Sequence, residues 1–233
     1  VPILVGPRRD RTGELACTRF SPDVVVLDDG FQHRRVARDC DIVLVHAGMP
    51  LEGWAVLPRG PMREPITALK RAHVVIVTKS EEALGMVGAV RERLRTLNPD
   101  AAFVTAAHEP VRLIDGATGT SCDPQRASGA RVGLVSSIGD PAGFEATVRR
   151  LNATVLWHQP FPDHHPYQAA EWDAICTRVE ASRPEALMTT EKDWVRLNRV
   201  ARGRLPSVPL WILGIEMKIL DGDEALNARL DRL

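Results

Sequence analysis

The 233-residue sequence predicts an α/β protein: a parallel sheet with flanking helices, followed by a second, smaller α/β domain. Three observations predict it. Short uninterrupted β-branched runs recur at 23–27, 41–45, 73–78 and 131–136, the pattern of strands covered on both faces. Between two of the runs lies a stretch of helical spacing, which makes a parallel crossover. A cluster of Gly, Thr, Ser, Asp and Pro at 115–131 then breaks the periodicity and marks a boundary.

Taken in order, the run at 23–27 ends in Asp28 and Asp29, and the run at 41–45 follows after a basic stretch. After the strand at 73–78, residues 81–97 place Leu84, Val87, Val90, Leu94 and Leu97 on one helical stripe, and Asn98-Pro99 stops it. Beyond the break, a strand at 132–136 turns at Gly139-Asp140-Pro141 into a helix over 142–151. A helix at 172–181, a strand at 186–189, a last strand at 208–213 and a polar helical tail complete the chain. The domains expected are therefore 1–110, a linker at 111–130, a smaller α/β domain at 131–207, and a returning strand with a terminal helix at 208–233.

Thirty basic and thirty acidic residues cancel, so no global field draws the chain to nucleic acid or to an anionic membrane. With 44% hydrophobic residues the chain can bury a sizeable core. The four cysteines lack the spacing of a zinc site or a disulfide scaffold, which fits a reducing setting. No apolar run approaches the roughly 20 residues that span a bilayer. The sequence opens on Val-Pro-Ile-Leu-Val without Met, as though inside a strand, and a truncated sequence is the expectation.

Two patterns carry chemistry. Asp28-Asp29-Gly30-Phe31-Gln32-His33 puts two carboxylates at a strand end, the edge where open α/β sheets bind ligands. Neighbouring carboxylates repel unless a cation relieves them, and Mg²⁺ bridging to phosphate is the usual solution in nucleotide enzymes. Asp-Asp-Gly is equally good turn chemistry. Asp163-His164-His165, bounded by Pro162 and Pro166, offers a general base oriented by a carboxylate, a metal pair, or simply a hydrogen-bonded turn. Arg63 in the rigid Pro-flanked loop can clamp a phosphate or join an ordinary surface ion pair. Thr190 and Asp193 resemble a capping box, which leaves Lys192 as a candidate ligand contact.

The segments DVVVLDDGFQHRRVARDCDIVLV, LPRGPMREP, the Gly-Asp-Pro turn, FPDHHPY and MTTEKDWVRL, in this order, resemble the tetraacyldisaccharide 4′-kinase family over nearly the whole chain. The resemblance implies a partial P-loop-type fold and transfer of the γ-phosphoryl group of ATP, with Mg²⁺, to the 4′-hydroxyl of a tetraacyl glucosamine disaccharide 1-phosphate. It implies the cytoplasmic face of the bacterial inner membrane as the setting. By the family pattern Asp28 and Asp29 belong to the metal and nucleotide site and His164 is the catalytic histidine, while His165 is not required. Gly30, Gln32, His33, Arg63, Glu64 and Lys192 are then expected to contact nucleotide or substrate. Such a reaction needs one magnesium-bound phosphate to reach both Asp28 and His164.

One departure is large. The sequence contains no G-x-x-x-x-G-K-[ST] loop to cradle the ATP phosphates. Family members carry that loop, an amphipathic membrane-associating helix and an acidic partner of the histidine upstream of the matched region. A kinase portion inactive by itself is the expectation. A different class, a metal-dependent phosphohydrolase built on Asp28, Asp29, His33, Asp163, His164 and His165, needs no such loop.

Overall fold

The structure, a computed structural model, describes residues 1–49, 54–60, 62–81, 83 and 85–233. In chain order its elements are α1 (Arg9–Phe20), β1 (Ile42–His46), β2 (Val74–Thr78), α2 (Val87–Leu97), β3 (Ala102–Asp115), β4 (Ser121–Cys122), β5 (Arg131–Ser136), α3 (Pro141–Arg150), β6 (Thr154–Pro160), α4 (Ala169–Ser182), β7 (Ala186–Thr190), α5 (Glu191–Ala201), β8 (Leu210–Asp221) and α6 (Asp223–Leu230). Leu84, one position of the expected helical stripe, and Pro61, in the Pro-flanked loop, lie outside the described residues. The chain divides into two compact units, Val1–Ala107 with Ile219–Leu233, and His108–Lys218. Strands β3 and β8 each contribute residues to both units.

In the first unit β1, β2 and β3 run parallel, with Ile42 opposite Val74 and Val74 opposite Ala102. All five residues of β2 are buried, and they alternate between two faces. Val75 and Val77 pack with Leu69, Val90, Leu94 and Phe103. Val74 and Ile76 pack with Val104 and Ala106 on the other side. The helix expected at 81–97 starts later, at Val87, and presents Val90 and Leu94 to the core. Asn98 ends it, its amide donating to the carbonyls of Leu69 (2.8 Å) and Ala72 (2.9 Å).

The run at 23–27 is not a strand, a correction to the sequence reading. Val24, Val25 and Val26 are 63%, 51% and 87% exposed. The opening run behaves alike, with Val1, Ile3 and Val5 exposed and without strand pairing. β-Branched residues favour extended backbone, but a strand also needs a neighbour for its N–H and C=O groups. Among the described residues none pairs with 23–27. Asp28 and Asp29 thus follow an exposed extended segment, not a buried strand.

In the second unit the strand order is β4-β3-β8-β7-β5-β6. Strands β8, β7, β5 and β6 are parallel, and β4 is antiparallel to β3. Alternation again sorts side chains onto two faces. Val132, Leu134, Ala186 and Met188 meet Phe144 and Val148 of α3, whereas Val135 and Leu187 meet Trp172, Ile175 and Val179 of α4 and Leu197 of α5. The register of β5 on β6 shifts between Val132 and Gly133. A Cβ on Gly133 would lie 2.4 Å from the Trp157 ring, so only glycine leaves room for that indole. Residues 111–130, read as a linker, include the end of β3, all of β4 and a 3₁₀ turn at Pro124–Ala127.

Candidate functional site

Asp28 and Asp29 form the corner of a turn in the first unit. Asp29 has φ 51°, a left-handed conformation that a short polar side chain tolerates better than most. Gly30 is buried, and a Cβ there would fall 2.5 Å from the Leu27 side chain. Glycine therefore lets the chain fold closely back, and the His33 N–H donates to the Gly30 carbonyl at 2.9 Å. The Asp28 carboxylate stands exposed, while that of Asp29 pairs with the Arg63 guanidinium. Arg63 thus supplies part of the positive charge that two adjacent carboxylates require.

Glu64 lies between Arg71 (2.6 Å) and Arg34 (3.3 Å). Partial burial pushes its carboxyl up, yet the two guanidiniums together hold it below the usual range. Arg71 also stacks over Phe31, 4.3 Å from the ring centre, and donates to the Phe31 carbonyl at 3.1 Å. Loop 62–65 therefore fastens the acidic turn from outside. Gln32 and His33 line an open cavity together with Arg8, Arg9, Arg34, Arg35 and Asp10, a lining with an excess of basic side chains although Asp10 pairs with Arg8 and Glu64 with Arg34.

His164 belongs to the second unit and also has a left-handed backbone, φ 58°. Its side chain is 85% exposed, with Nε2 3.7 Å from Asp163 Oδ2. His165 is occupied differently. It bonds Glu171 at 2.9 Å and stacks on Phe161 with centroids 4.9 Å apart. Lys192 is exposed in the first turn of α5.

A carboxylate that sequence reading treated only as a cap forms the most densely bonded polar group nearby. Asp193 is completely buried and accepts from Ser137 Oγ (2.8 Å), Tyr167 Oη (3.3 Å), Thr190 Oγ1 (2.7 Å) and Arg196 (3.0 Å). Arg196, Ser137 and Tyr167 were missed as its partners because two of them stand 56 and 26 residues away in sequence. Burial pushes the Tyr167 hydroxyl far above its ordinary value, so it remains a donor.

The structure thus joins Asp29 with Arg63, Glu64 with Arg34 and Arg71, and His164 with Asp163. Among the described residues no three or more His, Cys, Asp or Glu side chains gather to hold a metal ion. A self-contained two-metal hydrolytic centre therefore finds no support.

The sequence pattern of Tetraacyldisaccharide-1-P 4′-kinase matches residues 1–233. The Tetraacyldisaccharide 4′-kinase of Anaeromyxobacter sp. (strain K) is 38% identical over 234 residues, covering 99% of this chain and 61% of that protein. That of Syntrophus aciditrophicus (strain SB) is 36% identical over 226 residues, covering 94% and 60%. The chain spans about 61% of the length of the curated relatives it matches. The crystal structure of LpxK from Aquifex aeolicus in complex with ATP superposes with a TM-score of 0.63 over 96% of this chain and 62% of that one, at 23% identity, and so shares the fold.

Proposed function

This chain belongs to the tetraacyldisaccharide-1-P 4′-kinase family, and from that premise we propose that it takes part in transfer of the γ-phosphoryl group of ATP to the 4′-hydroxyl of a tetraacyl glucosamine disaccharide 1-phosphate. The observation that carries the reading within the chain is the exposed histidine on a fixed loop, His164 beside Asp163. With Nε2 turned toward the carboxylate, Nδ1 is the nitrogen that accepts the proton of the attacking hydroxyl. Asp163 stabilises the imidazolium that results.

The acidic turn serves the nucleotide end. Asp28 and Asp29 suit Mg²⁺, because that ion needs only one or two protein carboxylates when nucleotide phosphates supply further oxygens. When bound, Mg²⁺ neutralises charge on the transferring phosphoryl group. Gly30 permits the close turn, and Gln32 and His33, among four arginines, bind anionic groups of nucleotide or acceptor. Arg63, Glu64 and Lys192 are assigned to orienting these ligands.

We assign the reaction to the cytoplasmic face of the inner membrane, a reading supported by the lipid nature of the acceptor. Among the described residues no helix is long and apolar enough to cross a membrane. Because the sequence holds no glycine-rich phosphate loop, we assign the cradle for the ATP phosphates to residues outside these 233 and propose that the 233-residue polypeptide does not turn over by itself.

The test measures phosphoryl transfer from labelled ATP to the acylated disaccharide by a polypeptide that joins these 233 residues to the phosphate cradle. His164→Ala is expected to lower kcat about 10²–10⁴-fold, the size of a general-base contribution. Unchanged kcat refutes the role. If Asp28 and His164 serve one transition state, the double variant Asp28→Ala/His164→Ala loses less than the product of the single losses. Turnover by the 233-residue polypeptide alone contradicts the assignment of the cradle.

A further inference from the structure

We infer that Asp193 is a positioning residue for His164, in addition to any part it has at the helix start. A capping box needs the third helical side chain to reach back to the N-cap backbone N–H. Here the Asp193 carboxylate bonds the Thr190 hydroxyl instead, while the Asp193 N–H donates to Thr190 Oγ1 at 3.1 Å. The remaining bonds, to Ser137, Tyr167 and Arg196, do nothing for the cap. A fully buried carboxylate is expensive unless fully bonded, so a fold that needed only a cap would be served by the neutral Thr190.

What these partners share is the loop that carries His164. Tyr167 closes the loop, and its ring packs edge-on to Phe161 (5.1 Å) and His165 (5.4 Å). Ser137 holds the loop at its middle, since its carbonyl accepts the His164 N–H at 3.3 Å and Arg196 at 3.2 Å. The exposed His164 side chain supplies little packing of its own, and its left-handed backbone is costly for a non-glycine residue. Such a conformation persists where surrounding bonds over-determine it. Asp193 reaches two of the residues that hold the loop, Ser137 and Tyr167, beside the His165–Glu171 bond and the Phe161 N–H to the Ser136 carbonyl.

This inference rests on the proposed role of His164, but its test does not use turnover. Amide hydrogen exchange is followed by NMR in the 233-residue chain and in Asp193→Asn, Ser137→Ala and Tyr167→Phe. The His164 amide is expected to exchange about tenfold faster in each variant, beyond any change common to the amides of β5 and β7. Acceleration confined to the amides of the first turn of α5 overturns the inference and leaves Asp193 a cap. If Asp193→Asn does not fold, Tyr167→Phe decides, because it deletes a single hydroxyl; unchanged His164 exchange there also overturns the inference. Should His164→Ala leave kcat untouched while these exchange rates rise, the kinase assignment of His164 falls and the positioning of its loop stands.

Discussion

The two loops that carry the candidate chemistry are held in opposite ways. The acidic turn at 28–33 follows an exposed extended segment and is fastened by ion pairs at the surface, Asp29 with Arg63 and Glu64 with Arg34 and Arg71. The histidine loop at 161–167 is fastened from beneath, by a buried carboxylate and an aromatic trio. The first arrangement leaves the Asp28 carboxylate exposed and holds those of Asp29 and Glu64 against guanidinium groups. The second uses buried bonds to fix one backbone position and leaves the imidazole of His164 itself exposed.

Substitutions can break that contrast or sharpen it. The largest effect is expected from Asp193→Ala, which strands Arg196, Ser137 and Tyr167 without their acceptor. A loss of about 3–5 kcal/mol of stability follows from removing one partner of a buried charge pair, read by denaturant unfolding. A loss below about 1 kcal/mol would erase the distinction between the loops. Glu171→Gln is expected to cost about 1 kcal/mol through its bond to His165. Its pH dependence has a definite sign. The His165 bond, then the Gln168 N–H, hold the Glu171 carboxyl below its ordinary 4.5. That stabilisation is therefore complete above about pH 4.5 and is lost as pH falls through the lower folded value. The stability gap between Glu171→Gln and the parent should close on acidification, and a gap constant with pH removes the ionic origin. Arg63→Ala is expected to move stability by no more than about 0.5 kcal/mol, because both members of its pair are largely exposed. Its effect should appear instead in the apparent affinity for ATP-bound Mg²⁺ during turnover.

Much of the fold was legible because buried parallel strands announce themselves. β2, β5 and β7 are continuous apolar runs and lie within a residue of where the sequence places them. The same signal at 23–27 misled, since pairing depends on a neighbour that no local pattern records. Helix α1 carries no apolar stripe, with Ala16 its one buried residue, so periodicity had nothing to detect. Strand β3 was hidden by Pro110 and by alternating polar positions in its second half. Within the candidate site, Asp28 and His164 stood out as motifs. Asp193 did not, because its meaning lies in Ser137 and Tyr167, which two connecting segments distant in sequence bring to it.

Gly133 turns one missing methyl group into a constraint on the second unit. The Trp157 indole fills the space, its N–H donates to Ser182 Oγ at 2.7 Å, and Arg178 lies 4.5 Å above its ring. An alanine at 133 would displace that ring and with it the end of α4, so strand and helix are obliged to shift together. Indole fluorescence at this position would then report on the coupling of the two elements, a built-in gauge of whether the unit that bears His164 is intact.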